Sequence, residues 1–464
     1  CITIIHIVGK RADRRIFKKK ATEHYRNKGM FKRSYFSVFG LVEFMRNKYY
    51  VMQGKQIEYP LDKFLCLPDG KYSYLLQNWI GNNATDTDFR ASVELLNRIL
   101  GQNFSEMQSE RISNKLSSSV EKFYQQKERN PAPKKDKKRT SIEYGKTSEQ
   151  EGIKVVQQEG AYFAAGFDDK GIAILPSEMN REAESTGVRL GKGEKKGITK
   201  SSTVSVTYSF DPFIRSAEDV VSNLFKETTT DKKNIEPSEP KKITENKHVR
   251  AFISDKEKAI NYGLENALKR GCEKKKPIVL LIDGDRGLEK AIDRVTANKA
   301  IEYLIAAKVL DIIHVLEYLW KAANAHFGEK SPKRIAWVKK QCLLILQSKI
   351  KTVIKNLKQL IKQNKSGVLT LQKVITYFVN HKHMMDYKFY LAKGFPISTG
   401  AVESACGHFV QNRMGRNGMR WSLSGAQNML NLRAINKNKD WDEYMEYYID
   451  KEQGEIRQHY KIAA

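Results

Sequence analysis

The sequence predicts a mixed α/β core, a sheet flanked by helices, with an all-α insertion, preceded by a smaller β-hairpin plus helical region. Three observations carry this. Residues 278–282, IVLLI, form an unbroken apolar run that stops at Asp283-Gly284-Asp285 and leads into the helix-compatible GLEKAIDRV, as a buried parallel strand followed by a helix does. Residues 160–176, GAYFAAGFDDKGIAILP, and 201–210, SSTVSVTYSF, alternate as strands of a β-meander. From His314 to Lys393 the apolar spacing is helical.

At 464 residues the chain is long enough for two to four domains. Lysine plus arginine exceeds aspartate plus glutamate by 82 − 53 = 29 charges, which points to a polyanionic partner. No run approaches the roughly 18 apolar residues of a spanning helix, so nucleic acid is favoured over membrane and a cytoplasmic, nucleoid-associated location is expected. Cys1, Cys66, Cys272, Cys342 and Cys406 are odd in number and never spaced as CxxC, which suggests neither a disulfide framework nor a thiolate zinc site. The chain starts at Cys1 within the strand-like ITIIHIV and is expected to be a fragment.

The elements follow in order. Residues 10–33 hold eleven basic residues, interleaved with Phe17, Tyr25 and Phe31. Residues 34–52 read as a hairpin turning at Arg46-Asn47-Lys48. FRASVELLNRIL, the turn GQN and FSEMQSERISNKLSSSVEKFY have the form of a helix-turn-helix whose second helix would offer Gln108, Arg111, Asn114 and Lys115 to DNA. Residues 127–147 mix proline and lysine with little apolar content and mark a linker. The polar residues 226–247 read as an exposed insertion before a helix over 255–270. Ser331-Pro332 opens a long amphipathic run from Leu343 to Ile361. FPISTGAVESACGHFVQNRM begins a helix with Ser398 or Thr399 as its cap and Glu403 in its first turn. The expected domains are therefore 1–126, basic hairpin and helix-turn-helix-like; 127–158, flexible basic linker; 159–314, core with Asp168 and Asp283; 315–394, all-helical insertion; and 395–464, the rest of the core with Glu403 and C-terminal helices.

Asp168, Asp283 and Glu403 stand at structural junctions, 115 and 120 residues apart. Phosphodiester chemistry without a covalent intermediate uses paired Mg²⁺ ions about 4 Å apart, and such hard cations take carboxylate oxygens. An aspartate after a strand can equally cap the next helix. Spacing alone leaves both readings open.

GFDDKGIAILP, HVRAFISD, LLIDGDRGLEKA, DIIHVLEYLWKAA, GFPISTGAVESACGHFVQNRM, GMRWSLSGAQNMLNLRA and KDWDEY resemble, in this order, the blocks of a bacterial insertion-sequence DDE transposase family related to Mutator-like elements, the Kra-type group. The resemblance spans about residues 160 to 460. It implies an RNase H-like catalytic core with a helical domain inserted before the glutamate. It further implies Asp168, Asp283 and Glu403 as ligands of two Mg²⁺ (or Mn²⁺) ions, with Asp169 and Asp285 as bystanders. The family's DGKG reads Asp168-Asp169-Lys170-Gly171 here. Its D-x-x-H signature falls on Asp311 and His314, where the histidine would orient a phosphate or water. Arg420-Trp421 would place an indole for base stacking, and Arg413, Arg416 and Arg420 would contact phosphate. The family's cysteine-paired zinc ribbon has no counterpart at Met45–Met52.

The implied function is metal-dependent cleavage of DNA at element ends and strand transfer into target DNA by a 3′-hydroxyl. Terminal repeats and target DNA would be its partners, with two ends held by a homodimer or larger assembly. The alternatives are an RNase H-like nuclease on structured nucleic acid and a non-catalytic DNA-binding protein descended from a transposase.

Overall fold

The computed structural model describes residues 25–51, 56–129, 160–179, 199–225, 245–271, 276–363, 367–416 and 418–460. Two compact units emerge, one of Cys1–Asn130 with Ser424–Ala464 and one of Pro131–Leu423. The expected linker at 127–158 lies outside the described residues beyond Arg129, as do the basic residues 10–24 and the insertion at 226–244.

The first unit opens with a hairpin of β1 (Tyr25–Ser37) and β2 (Gly40–Val51), extended by β3 (Gln56–Glu58). The hairpin turns at Val38-Phe39, with Ser37 opposite Gly40, rather than at Arg46-Asn47-Lys48. That polar triplet stays in β2 because Arg46, like Arg33 across the hairpin, pairs with Asp62 of α1 (Pro60–Phe64), which compensates its charge. Helices α2 (Tyr74–Asp86), α3 (Phe89–Leu100), α4 (Glu106–Ser117) and α5 (Val120–Arg129) follow. They share one core with α15 (Leu423–Lys437) and α16 (Trp441–Tyr460), in which Leu76, Ile80, Leu116 and Phe123 meet Leu432, Ile435, Tyr444 and Tyr448. The two C-terminal helices expected with the core thus complete the N-terminal unit. Buried Arg433, paired with Asp86, and Trp441, whose indole N–H donates to Asn78 at 2.8 Å, anchor them.

The second unit is a mixed five-stranded sheet flanked by helices, in the order β6-β5-β4-β7-β8. Its strands are β4 (Tyr162–Ala173), β5 (Thr199–Phe210), β6 (Glu245–Ile253), β7 (Ile278–Ile282) and β8 (Ile305–Leu310). Strands β4, β7 and β8 run parallel, and β5 is antiparallel to β4 and β6. The two strands expected around Asp168-Asp169 are one continuous strand, because β5 pairs with β4 along its whole length. All five residues of β7 are buried, as a strand flanked on both edges and both faces requires. Each such side chain contributes about 1.5–3 kcal/mol of transfer free energy. Helix α6 (Ala217–Leu224) follows β5, α7 (Lys256–Gly271) joins β6 to β7, and α8 (Arg286–Asn298) joins β7 to β8.

The helical segment then runs through α9 (Ile312–Phe327), α10 (Lys333–Leu346), α11 (Ile350–Gln363), α12 (Val368–His381) and α13 (Tyr387–Ala392). The single long helix expected through Leu343 to Ile361 is two helices, broken where Ser348 adopts a left-handed backbone with φ 59°. Helix α14 (Gly400–Ala405) returns to the sheet and widens into a π-helical turn at Cys406–Gln411. Among the described residues no helix is long and apolar enough to cross a membrane.

Candidate metal centre at the strand ends

Three aspartates stand side by side because three parallel strands are in register. Gly166 of β4 pairs with Leu281 of β7, and Ile282 of β7 pairs with Leu310 of β8. Asp168 and Asp283 are each two residues beyond the first pair, while Asp283 and Asp311 each follow the second. The Asp311 N–H donates to the Ile282 carbonyl at 2.8 Å, which extends the alignment past the strands.

The neighbouring acids have other work. Asp169 accepts from the Thr203 hydroxyl at 2.5 Å and pairs with Lys256 at 2.6 Å, on the opposite side of β4 from Asp168 by strand alternation. Asp285 caps α8, accepting from the Leu288 N–H at 2.6 Å. The capping role open to Asp283 therefore falls to Asp285, and Asp283 accepts from the Asp285 N–H at 2.9 Å.

Glu403 reaches the strand ends from α14. That helix approaches β4 so closely that a Cβ on Gly166 would lie 2.3 Å from Val402 Cγ2. One turn beyond Glu403, the Cys406 thiol lies beside Asp168. Burial pushes that thiol up, and the Asp168 charge adds to it.

Asp311 lies at the centre. It is buried and caps α9, accepting from the Ile313 N–H at 3.1 Å, His314 Nδ1 at 2.8 Å, the Thr399 N–H at 3.2 Å and the Thr399 hydroxyl at 2.9 Å. Burial alone would raise its carboxyl, but these bonds, led by that from His314, hold it below the usual carboxylate range. The Thr399 hydroxyl also lies 3.2 Å from Glu403 Oε1, so one proton serves two carboxylates. His314 Nδ1 is 4.0 Å from the same oxygen. The hydrogen bond to Asp311 pushes the imidazole up to about 9, against the opposing effect of its burial and with help from the Asp311, Asp283 and Glu317 charges.

Crowding shows in the other carboxyls. Asp283 is raised by burial first, with the Asp168 charge adding, against the Asp285 N–H and His314. Glu403 is raised by burial and then by the Asp311 charge. Carboxylates packed this tightly call for a proton or a cation between them. The potential ligand atoms of Asp311, His314 and Glu403 lie within 4.8 Å of one another, and this group could hold a metal ion.

The sequence-expected residues Asp168, Asp283, His314 and Glu403 are thus all at the strand ends. Asp311 and Thr399 lie outside the expected ligand set, although Asp311 carries the same signal as Asp283, an apolar run ending in Asp. Thr399 was expected as a cap, yet its side chain makes no capping bond and turns instead to the two carboxylates.

Tyrosines of the helical segment hold the main chain beneath these groups. The Tyr377 hydroxyl donates to the Asp283 carbonyl at 3.3 Å, Tyr387 to Leu310 at 2.7 Å and Tyr390 to Lys308 at 2.9 Å.

The residues expected to touch DNA are placed differently. Arg413 is buried, 5.0 Å from the Trp421 ring, where a phosphate does not reach. Trp421 is 7% exposed, its indole N–H donating to the Met414 carbonyl and its backbone bridged to Ile174, so its ring packs in the core. Arg416 and Arg420 are exposed. On α4, Gln108 closes a capping box with Ser105, Asn114 accepts from Asn428, and Lys115 pairs with Glu452 at 3.0 Å. Helices α15 and α16 therefore occupy much of the face expected to read DNA, and of the four residues only Arg111 is exposed.

No known protein family's sequence profile matches the chain, and no curated protein matches it.

Proposed function

We propose that the protein is a DDE-type DNA transposase of the Kra-type group whose catalytic centre is the set of acids at the ends of β4, β7 and β8. The observation that carries this reading is the register alignment of Asp168 with Asp283, joined by Glu403 on a helix after an all-α segment. A mixed sheet with three parallel strands and an antiparallel meander edge supports an RNase H-like core. The crowded carboxyls, with Asp283 and Glu403 raised by burial, fit a divalent cation, with Asp168, Asp283 and Glu403 as its holders and Asp311 and His314 alongside. Two Mg²⁺ or Mn²⁺ ions bound there would supply charge stabilisation at the attacking and leaving oxygens of a phosphodiester.

The chain's own groups do the rest. Asp311 fixes the ring of His314, which would orient a phosphate or water at the centre. The half-exposed Glu403 leaves the centre open on one side for a strand of DNA.

The test uses labelled duplex carrying the sequences that flank the coding region, with Mg²⁺ or Mn²⁺, comparing wild type with Asp283→Asn and Glu403→Gln. Loss of cleavage and joining in folded variants that still bind DNA supports the reading. Cleavage without joining moves it to the nuclease alternative. Binding without chemistry in wild type moves it to a non-catalytic DNA-binding descendant.

A further inference from the structure

Helix α11 carries Lys351, Lys355, Lys358 and Lys362, spaced i, i+4, i+7 and i+11. At 100° per residue these fall on one face, and all four are exposed. Val353, Leu357 and Leu360 on the opposite face are buried. Surface helices ordinarily balance such a stripe with glutamates one turn away. None is available here, because residues 330–385 contain thirteen lysines and arginines and no aspartate or glutamate. Among the described residues no carboxylate pairs with any of the four.

Like charges one turn apart destabilise a helix. The stripe therefore works against its own helix until a counter-charge arrives from outside. Its ammonium groups repeat roughly every 5.5 Å over about 16 Å, a regular line of point charges suited to a phosphate backbone. The exposed residues beside them are Thr352, Gln359 and Gln363, with no guanidinium fork and no aromatic platform. A membrane surface fits poorly, because the helix's apolar face is already buried and Asn356 ties α11 to Gln341 of α10 at 2.9 Å.

We propose that the exposed face of α11 is a docking surface for the phosphate backbone of duplex DNA, contacted without sequence preference. This rests on the reading of the chain as a DNA-acting protein, and it places a non-specific grip on the helical segment.

The test measures binding of a labelled 30-base-pair duplex of arbitrary sequence to the full chain between 50 and 300 mM KCl. Wild type is compared with the quadruple variant K351Q/K355Q/K358Q/K362Q and with the quadruple Lys→Arg variant, helix content being checked for each. The glutamine variant is expected to lower the slope of log affinity against log salt by about 3 to 4, at about 0.9 per lost phosphate contact, on any duplex sequence. The arginine variant should keep the wild-type slope. An unchanged slope in the glutamine variant, or a wild type that does not bind duplex, overturns the proposal. Wild type with the expected slope change but no metal-dependent cleavage sinks the transposase reading and leaves this one standing.

Discussion

The Tyr377 hydroxyl, on the helical segment, donates to the main-chain carbonyl of Asp283 at the end of β7, across 3.3 Å. The Tyr377 ring stacks on Tyr318 at 3.7 Å between centroids, with 8° between planes. Gly284, at φ 103°, lets the turn pass beneath, since a Cβ there would lie 2.6 Å from the hydroxyl. The position of Asp283 is thus set partly by a helix 94 residues away in sequence. Tyr377→Phe keeps the ring stack and removes the bond, and is expected to lose about 0.5–1.5 kcal/mol of stability. The turn then drifts, and metal-dependent cleavage should fall between ~10-fold and ~100-fold at unchanged DNA affinity. Single-turnover kinetics with a parallel binding titration check this; equal rates would show that the hydroxyl does not position the aspartate.

Thr399→Val tests the shared proton. The substitution keeps the shape but removes the hydroxyl between Asp311 Oδ2 and Glu403 Oε1. Buried Asp311 loses one of its donors, which costs about 1–3 kcal/mol. Supporting bonds of this kind are worth about 10–100-fold in metal affinity. Mn²⁺ titration by calorimetry or paramagnetic resonance should show that weakening, and an affinity within twofold of wild type would count against a centre at these carboxylates.

Gly166→Ala tests how α14 is seated. The new methyl meets Val402 Cγ2, the neighbour of Glu403, and the helix must shift. Overpacking of this sort costs about 1–3 kcal/mol, and cleavage should be lost with it. Val402→Ala on top of it opens the space again, so the double variant should recover both stability and cleavage. A fully active Gly166→Ala would mean that close seating of α14 is not needed.

Much of this site is legible in the sequence. Strand β7 declares itself because burial on both faces makes every residue of IVLLI apolar, and Glu403 announces a helix start. Strand β4 is harder to read, because Asp168-Asp169-Lys170-Gly171 looks like a turn. Only the partner strand and Lys256, which neutralises Asp169, keep it extended. The same blindness to partners applies to the C-terminal helices. The spacing of Leu432, Ile435, Tyr444 and Tyr448 predicts buried faces but not which core will cover them. Trp421 was expected to stack on a base and Arg413 to meet phosphate, but the two lie against each other inside the fold, a contact that spacing does not reveal.

His314 supplies a pH signature of the metal-free centre. Its folded pKa, raised to about 9 chiefly by the bond to Asp311, lies above the ordinary imidazole value of 6.5. A raised folded pKa means that the stabilisation is fully present below about 6.5 and lost as pH climbs through about 9. Metal-free wild type should therefore lose thermal stability across pH 6.5 to 9, whereas His314→Gln, which still reaches Asp311 but does not titrate, should be flatter there. A divalent cation competes with the same proton, so Mn²⁺ affinity should rise over that window and binding should release protons into weak buffer. A wild-type stability profile superimposable on that of His314→Gln would show that the imidazole is not held charged between Asp311 and Glu403. The proton-release measurement then separates a centre built on the aspartates alone, which frees little at pH 7.5, from one that includes the histidine.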